Sequence, residues 1–195
     1  LLHHEVNKGK GAALKNAFNW FLRNRPEGLG VVTVDGDNQH HPADTRACTE
    51  HMLETGRITL GCRDFNQADV PARSSFGNKT TSAIFKIFVG MTISDTQTGL
   101  RGIPAGLAEK ISSLPGDGYE YEMAMLTNVK IHPEKPLEIP IETIYEAGNG
   151  SSHFSPLADT VKIYRAMFAE LKRQRKLEKP IPPPSIPGSI RRNSD

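Results

Sequence analysis

Apolar residues recur at helical spacing near the start of the chain, directly after a glycine-rich turn over residues 7–11. The recurring positions are Leu14, Ala17, Phe18 and Phe21. They predict an amphipathic helix, which Pro26 ends. Residues 30–35 read GVVTVD and predict a buried strand, because β-branched side chains dominate the run. This order of loop, helix and strand is typical of an α/β domain.

Two further pairs of predicted elements follow. Pro42 suits the first turn of a second helix, and residues 58–62 predict a strand that ends at Arg63. After a loop, residues 73–89 predict a third helix. Its helical pattern is made by Phe76, Thr80, Ala83, Ile84 and Ile87.

The C-terminal half carries weaker signals. Residues 95–102 are polar and rich in turn formers, and Pro104 can open a short helix. Residues 137–145 alternate in polarity around a proline, so they predict an edge strand, and residues 148–152 predict a flexible loop. The last helix has an apolar stripe, for which the core and a membrane surface are alternative partners: Leu157, Val161, Tyr164, Phe168 and Leu171.

Length and composition limit the architecture. The 195 residues, of which 37% are hydrophobic, suffice for one α/β domain with a single active site. We predict a mostly parallel sheet within residues 1–173 and a basic, proline-rich, disordered tail over residues 174–195. Because no strand precedes the first helix, we expect this domain to be N-terminally truncated. The sequence shows no apolar run of membrane-spanning length and no secretory signal, which favours a cytoplasmic location.

Charge is distributed unevenly along the chain. The net charge is +2, but residues 172–195 hold seven basic and two acidic residues, which leaves 17 basic and 20 acidic residues before them. Such a tail can contact an anionic membrane on its cytoplasmic face or remain solvated. The acidic body argues against nucleic acid as a partner. Cys48 and Cys62 are too few for a disulfide framework.

The sharpest chemical signal lies just after the first predicted strand. Asp35 and Asp37 can project together into the crevice where open α/β sheets bind ligands. Carboxylate oxygens there suit Mg²⁺ or Mn²⁺ held against a diphosphate. A calcium loop of the EF-hand type is excluded because no glutamate stands at the required spacing. Asp and Gly are also common turn residues, so a metal site and a plain turn both remain open from this pattern alone.

Three motifs, in order, resemble family 2 glycosyltransferases. They are NKGKG at residues 7–11, DGDNQH at residues 35–40 and DTQTGLR at residues 95–101. The branch that they resemble most contains dolichyl-phosphate mannosyltransferases and bacterial polyprenyl-phosphate sugar transferases. The resemblance covers residues 7–164 and implies the nucleotide-diphospho-sugar transferase fold, known as GT-A. The opening strand motif of that family, Pro-x-Tyr/Phe-Asn-Glu, has no counterpart in the sequence.

The resemblance implies donor-side roles for the second motif. Asp35 would lie near the donor nucleotide and the metal, and Asp37 and Gln39 would be ligands of Mg²⁺ or Mn²⁺. The implied donor is a GDP- or UDP-hexose. Lys10, in the glycine-rich turn, is a candidate second contact to the negative charge of the donor.

An acceptor phosphate is the partner expected for two arginines. Arg63 and Arg73 flank one loop, and guanidinium groups suit bidentate phosphate binding. In the resembling enzymes, arginines at these places grip the acceptor phosphate, and Asn78 lies in the matching turn. Gln97 and Arg101, in the third motif, are further candidates for the acceptor side. Two solvent-exposed arginines without a ligand are the alternative interpretation.

Asp95 stands where members of that family carry a proposed general base. It can equally cap the following turn, or orient Arg101 or the acceptor phosphate. A phosphate monoester is largely ionised at neutral pH, so it needs a base less than a hydroxyl does. The resemblance also implies a loop that closes over both substrates and excludes water, with Asn149, Ser151 and His153 as its candidate residues.

The sequence therefore predicts metal-dependent, inverting transfer of a hexose from a nucleotide-diphosphate sugar to a polyprenyl- or dolichyl-phosphate acceptor. One alternative is transfer to a glycan or lipid hydroxyl in cell-surface polysaccharide synthesis, for which Asp95 would be required as the base. Another is a non-catalytic, truncated remnant that binds a partner.

Overall fold

The computed structural model describes residues 2–67, 70, 72–130, 134–142 and 156–177. The helices and strands are, in chain order, α1 (Lys10–Asn24), β1 (Gly30–Thr33), α2 (Pro42–Thr55), β2 (Thr59–Arg63), α3 (Ala72–Val89), β3 (Arg101–Pro104), α4 (Ala105–Ser112), α5 (Glu120–Val129), β4 (Leu137–Ile141) and α6 (Pro156–Leu177).

Local sequence signals explain where α2 begins and ends. Pro42 occupies the start of the helix, where its missing N–H costs no hydrogen bond. The negative charge of Asp44, in the first turn, stabilises the helix by interacting with the positive end of its dipole. Gly56 closes the helix in the left-handed conformation at φ 66° and donates its N–H to the carbonyl of Met52. The turn over residues 35–41 therefore leads directly from β1 into a well-capped helix.

The sheet is mixed, with the strand order β1-β3-β2-β4. β3 is antiparallel to both β1 and β2, whereas β2 and β4 are parallel. The prediction of a mostly parallel sheet is therefore wrong for two of the three strand pairs. The reason is that residues 95–100 run back along the carboxyl end of β2, where the Gly61 N–H donates to the Leu100 carbonyl at 2.9 Å. β3 starts from this end and must run against its neighbours.

Other predicted elements were confirmed with shifted bounds. Pro104 does precede a short helix, α4, and β4 does lie at the edge of the sheet. β1, predicted as a buried strand, is half-buried because it lies at the opposite edge of the described sheet. β3 and α5 were not predicted at all. The polar residues 95–102 concealed the short strand that starts at Arg101.

Two hydrophobic clusters hold the helices on the sheet. The larger one joins the strands to α1, α3, α4, α5 and α6 through residues such as Phe18, Leu60 and Phe85. The smaller one lies beneath α2 and contains Cys48, Leu100, Ile139 and Ile141. Cys48 and Cys62 are free and buried, and burial raises the pKa of their thiols to about 11 and about 12. Both thiols are thus packed as small apolar groups.

The last helix is fixed to α5 by a buried carboxylate. Glu170 accepts hydrogen bonds from Asn128 Nδ2 at 2.8 Å, Arg173 Nη2 at 2.7 Å and Gln174 Nε2 at 3.0 Å. α6 continues through Leu177, so the domain boundary predicted between residues 173 and 174 falls inside this helix. Residues 178–195, most of the predicted tail, lie outside the described residues.

The apolar patterns on α3 and α6 only partly face the core. Phe76 and Ile87, which belong to the predicted helical pattern of α3, are 75% and 74% exposed. On α6, Leu171 is buried, whereas Val161 and Phe168 are 53% and 44% exposed. Within the described ranges, we find no helix with the length and apolar character needed to cross a membrane.

Candidate functional site

Four charged side chains form a continuous series at the carboxyl end of β1. Lys10 Nζ is 2.6 Å from Asp35 Oδ1 and 2.8 Å from Glu122 Oε2. Arg101 Nη2 is 3.8 Å from Glu122 Oε1. The four charges alternate in sign, so each of these partly or fully buried groups has an oppositely charged neighbour.

These contacts keep Asp35 and Lys10 ionised. Burial alone would raise the pKa of Asp35, but the hydrogen bond with His40 and the Lys10 ammonium outweigh burial and hold that pKa below its ordinary value. Burial would lower the pKa of Lys10, yet Glu122 and Asp35 raise it above its ordinary value. The predicted donor contact Lys10 thus carries its charge within reach of Asp35.

A glycine allows the third motif to approach Asp35. The Thr33 hydroxyl donates to the Gly99 carbonyl at 2.8 Å, which holds residues 95–101 against the end of β1. A Cβ atom at Gly99 would overlap the Asp35 carboxylate. Residue 99 must therefore lack a side chain if the two motifs are to meet.

Asp37 and Gln39 lie on an exposed turn beyond Asp35. The Gln39 N–H donates to Asp37 Oδ1 at 3.3 Å, and Asn38 between them has a positive φ of 62°. The described residues contain no group of three or more His, Cys, Asp or Glu side chains arranged for a metal. Asp37 and Gln39 offer the hard oxygen atoms that Mg²⁺ prefers, and a magnesium ion commonly takes its other ligands from phosphate and water. This pair therefore fits a metal that is shared with a bound diphosphate.

The predicted base Asp95 is completely buried and bound by Arg63. Arg63 Nε donates to Asp95 Oδ2 at 2.7 Å, and Arg63 Nη2 donates to Asp95 Oδ1 at 3.1 Å. The backbone N–H of Gln97 also donates to Asp95 Oδ1 at 3.0 Å. Asp95 thus orients Arg63, rather than Arg101, and caps the turn that follows it. Gln97 itself lies on this turn and lines the cavity described below.

Asn78 and Glu138 fix the loop that carries Asp95. The buried Asn78 donates to the Ser94 carbonyl at 2.6 Å and accepts the Thr96 N–H at 3.3 Å. Glu138, on β4, accepts the N–H of Ser94 at 2.9 Å and its hydroxyl at 2.7 Å. The predicted acceptor residue Asn78 is therefore a support for the loop. Neither Ser94 nor Glu138 was predicted, because their sequence context carries no motif.

Two hollows adjoin these groups. One, of about 280 Å³, is lined by Arg63, Phe65, Asn78 and Lys79 among others. The other, of about 250 Å³, is lined on one side by Lys10, Asp35, Gln97, Arg101, Tyr119 and Glu122 and on the other by Tyr164 and its neighbours.

Arg101, which lines the cavity of about 250 Å³, has a hydrogen-bond donor that is still unused within the described residues. Arg101 is 2% exposed and donates to the carbonyls of Thr98 at 2.9 Å and Glu122 at 2.8 Å. Arg101 Nη2 and Thr96 Oγ1 are buried and make no hydrogen bond within the part of the chain that the structure describes. Buried polar atoms of this kind commonly bind water or a ligand. Arg101 thus lines the cavity of about 250 Å³ together with Lys10 and Asp35, and it does not line the hollow beside Arg63.

The remaining predicted residues are only partly placed. Arg73 lies in the first turn of α3, but its side chain is outside the described residues. Asn149, Ser151 and His153, the predicted closing loop, also lie outside them. Sequence reasoning missed Glu122 and Tyr119, although acidic residues cluster at the start of α5.

Replacing Asp35 with asparagine is expected to flatten the acid dependence of the unfolding free energy. The folded pKa of Asp35 lies below its ordinary value of 3.8, so the unfolded chain takes up this proton first as the pH falls. The contribution of the carboxylate is present above about pH 5 and is lost as the pH falls toward the folded pKa. Urea unfolding between pH 7 and acid measures this slope. Asp117→Asn, at a side chain that is 71% exposed, is the control, and equal slopes for the parent and Asp35→Asn would contradict the expectation.

The topology and the strand-end site define the class of the domain. It has the GT-A fold of nucleotide-sugar transferases, because it superposes on mannosyl-3-phosphoglycerate synthase from Rubrobacter xylanophilus with a TM-score of 0.56, 18% identity and coverage of 95% of this chain and 57% of that one. Glucosyl-3-phosphoglycerate synthase from Mycobacterium tuberculosis gives a TM-score of 0.53 at 17% identity, over 88% of this chain and 56% of that one. The predicted GT-A fold is thus confirmed, with a mixed sheet in place of the mostly parallel one.

Sequence relatives agree with the branch that the motifs resemble. The chain is 33% identical to an uncharacterized protein of Methanocaldococcus jannaschii over 73% of its length. It is 30% identical over 74% of its length to the UDP-N-acetylglucosamine–dolichyl-phosphate N-acetylglucosaminyltransferase of Methanococcus voltae. It is also 26% identical over 80% of its length to the polyprenol monophosphomannose synthase of Mycolicibacterium smegmatis. The chain spans 60%, 59% and 59% of these three relatives, respectively. No protein-family model matches it.

Proposed function

We propose that the protein transfers a hexose from a nucleotide-diphosphate sugar to a polyprenyl- or dolichyl-phosphate acceptor, with inversion at the anomeric carbon. The observation that carries this proposal is the meeting of three motifs at one sheet edge. Lys10, Asp35 and Gly99 come from different motifs, and the first and the third both lie against Asp35: Lys10 Nζ is 2.6 Å from its carboxylate, and the backbone of Gly99 packs beside that carboxylate. Ligands of open α/β folds bind at this edge of the sheet.

The donor side is supported by its charges and its cavity. The cavity of about 250 Å³ joins the Lys10 ammonium to buried hydrogen-bonding groups on Thr96 and Arg101. A nucleotide-diphosphate sugar has both negative phosphates and a polar hexose, which such a site can bind. Mg²⁺ or Mn²⁺ held by Asp37 and Gln39 would add positive charge that stabilises the departing diphosphate.

The acceptor side is supported by the hollow of about 280 Å³ beside β2. Arg63 and Lys79 both line it and supply positive charge for a phosphate. Asp95 accepts two hydrogen bonds from Arg63 and so fixes the plane of the guanidinium. We propose that Asp95 is a positioning residue, since a phosphate nucleophile is largely ionised at neutral pH and needs little help from a base.

The rival acceptor, a glycan or lipid hydroxyl, requires a base that can reach it. Asp95 is 0% exposed, and both of its oxygens already accept hydrogen bonds. This arrangement favours a positioning role for Asp95 over that of a base that takes the proton of a bound hydroxyl. The names of two sequence relatives also support a lipid-phosphate acceptor, because one acts on dolichyl phosphate and the other makes polyprenol monophosphomannose.

The test is radiolabelled sugar transfer with a choice of acceptors. UDP- and GDP-sugars are offered with short polyprenyl phosphate, with the matching polyprenol and with no acceptor. We expect product only with the phosphate, and a loss of product when a chelator removes divalent metal. Arg63→Lys keeps the charge but removes the fork of donors, so it should raise the acceptor KM by about 10-fold or more. Equal transfer to the polyprenol would favour the hydroxyl acceptor, and a complete lack of transfer would count against the proposed activity.

A further inference from the structure

Two buried residues that line the cavity of about 250 Å³ carry unused hydrogen-bonding groups. Arg101 Nη2 and Thr96 Oγ1 make no hydrogen bond within the described ranges, and the two residues are 2% and 3% exposed. A buried polar group without a partner is costly, so native structures retain one mainly where a ligand or an ordered water completes it. Because both groups border the same cavity, a ligand with several hydroxyl groups would satisfy them together.

The charges that line this cavity cancel. Among the described residues, its charged lining consists of Lys10, Asp35, Arg101 and Glu122. Lys10 Nζ is 2.6 Å from Asp35 and 2.8 Å from Glu122, and Arg101 Nη2 is 3.8 Å from Glu122. Each cation thus has a carboxylate beside it, and the lining holds no surplus positive charge for an anionic ligand. A neutral polar ligand therefore fits the cavity better than a phosphate does.

The size and the remaining lining of the cavity match one sugar ring. Its volume of about 250 Å³ lies below the range of about 300 to 1,000 Å³ that is typical of pockets for whole drug-sized ligands. Met123, Ile163 and Tyr164 add apolar and aromatic surface to the polar groups. A hexose has hydroxyl groups around its rim and C–H bonds on its faces, so it can use both kinds of surface.

We propose that Thr96, Arg101 and Glu122 hold the transferred hexose and make the enzyme select a neutral sugar over a uronic acid. Arg101 Nη2 and Thr96 Oγ1 donate to oxygen atoms of the hexose. Glu122, whose side chain is 12% exposed, accepts a hydrogen bond from one of its hydroxyl groups, because a carboxylate can accept more bonds than Lys10 and Arg101 supply. The inference rests on the proposed function, since it places the hexose part of the donor in this cavity and the diphosphate outside it.

Replacing Thr96 with valine separates sugar binding from support of the fold. Thr96→Val removes an unpaired buried hydroxyl and keeps the shape of the side chain, so the midpoint of urea unfolding should equal or exceed that of the parent. The affinity for the donor sugar should fall about 2- to 10-fold, as expected for one neutral hydrogen bond. The affinity for UDP or GDP alone should not change. Calorimetric titration in Mg²⁺ with UDP-glucose, UDP-N-acetylglucosamine and GDP-mannose, each compared with its nucleoside diphosphate, measures the difference.

Replacing Glu122 with glutamine tests the selection for a neutral sugar. Glu122→Gln keeps the size of the side chain but leaves Lys10 and Arg101 with a surplus positive charge. The affinity for the neutral donor should fall about 10-fold or more, because hydrogen bonds to charged groups are the stronger ones. The affinity for the corresponding uronate, UDP-glucuronate or GDP-mannuronate, should rise. Glu109→Gln, at an exposed carboxylate on α4, is the matched control and should bind both donors as the parent does.

Several outcomes would overturn the hexose assignment. One is an unchanged donor affinity in Thr96→Val, which would mean that ordered water occupies the cavity. Another is an equal loss of affinity for the nucleotide sugar and for the nucleoside diphosphate. An unchanged ratio of neutral to uronate affinity in Glu122→Gln would refute the selection. If Glu122→Gln fails to fold, Thr96→Val decides the assignment.

Sugar transfer to short polyprenyl phosphate is measured in parallel, so that the two proposals can fail separately. Transfer by the parent, with donor affinities that both variants leave unchanged, would refute the hexose assignment alone. Loss of sugar affinity in both variants, without transfer by the parent, would count against the proposed function alone. If the parent binds none of the nucleotide sugars, both proposals are wrong.

Discussion

Asp95→Asn is expected to destabilise the protein strongly while leaving the chemical step nearly intact. Removing one partner of a buried ion pair typically costs about 3 to 5 kcal/mol. Arg63 keeps 21% of its side chain exposed, so water can compensate part of the loss, and we expect about 3 kcal/mol. Urea unfolding of the parent and the variant measures this difference in free energy. Asp64→Asn, at an exposed aspartate next to β2, should stay close to the parent.

The kinetic consequence of the same substitution separates two roles for Asp95. If Asp95 positions Arg63, the variant should raise the acceptor KM while kcat at saturating acceptor falls less than about tenfold. Loss of a general base would instead lower kcat by about 10² to 10⁴. The assay is run at a temperature where unfolding curves show the variant to be folded. A kcat loss above 100-fold with unchanged KM and stability would restore Asp95 as the base and favour a hydroxyl acceptor.

Asp37→Ala is expected to remove the metal dependence of nucleotide binding. Asp37 is exposed, so its replacement should leave the fold intact. A metal that bridges this carboxylate and a diphosphate stabilises the charges by several kcal/mol, so the variant should bind UDP or GDP about 100-fold more weakly in Mg²⁺. In a chelator, the parent and the variant should bind alike.

Calorimetric titration measures this difference directly. Glu50→Gln is the matched control, because Glu50 is an exposed carboxylate on α2 that pairs only locally, with Arg46 at 2.7 Å. Equal nucleotide affinity of the parent and Asp37→Ala in Mg²⁺ would show that this turn holds no metal.

The sequence was informative where chemistry and local structure coincide. A β-branched run predicted β1 and placed Asp35 at its end. The glycine-rich turn made Lys10 a candidate contact to the same donor, and the structure places its ammonium 2.6 Å from Asp35. The partners supplied by distant segments were not predictable. Glu122 looks like an ordinary residue of a helix start, and only the packing of α5 against α1 brings it to Lys10. The reversed direction of β3 likewise depends on where the preceding loop packs, which no local pattern encodes.

The spacing of apolar residues along a helix is a second place where prediction from the sequence was incomplete. Spacing predicts that Phe76, Ala83 and Ile87 share a face, but it does not say whether that face meets the core or the solvent. The residues that do meet the core on this helix include the polar Asn78 and Thr81, which hydrophobic periodicity disregards. Asn78 is buried because the backbone of the 94–96 loop needs its amide.

The series of alternating charges formed by Asp35, Lys10, Glu122 and Arg101 should also constrain which substitutions are tolerated during evolution. Replacing any one of these residues leaves its neighbour with an unpaired, partly buried charge, so a single substitution destabilises the protein. Positions 10, 35, 101 and 122 are therefore expected to covary among homologous sequences. A lineage that loses the lysine should also have lost, or exchanged, the glutamate that pairs with it.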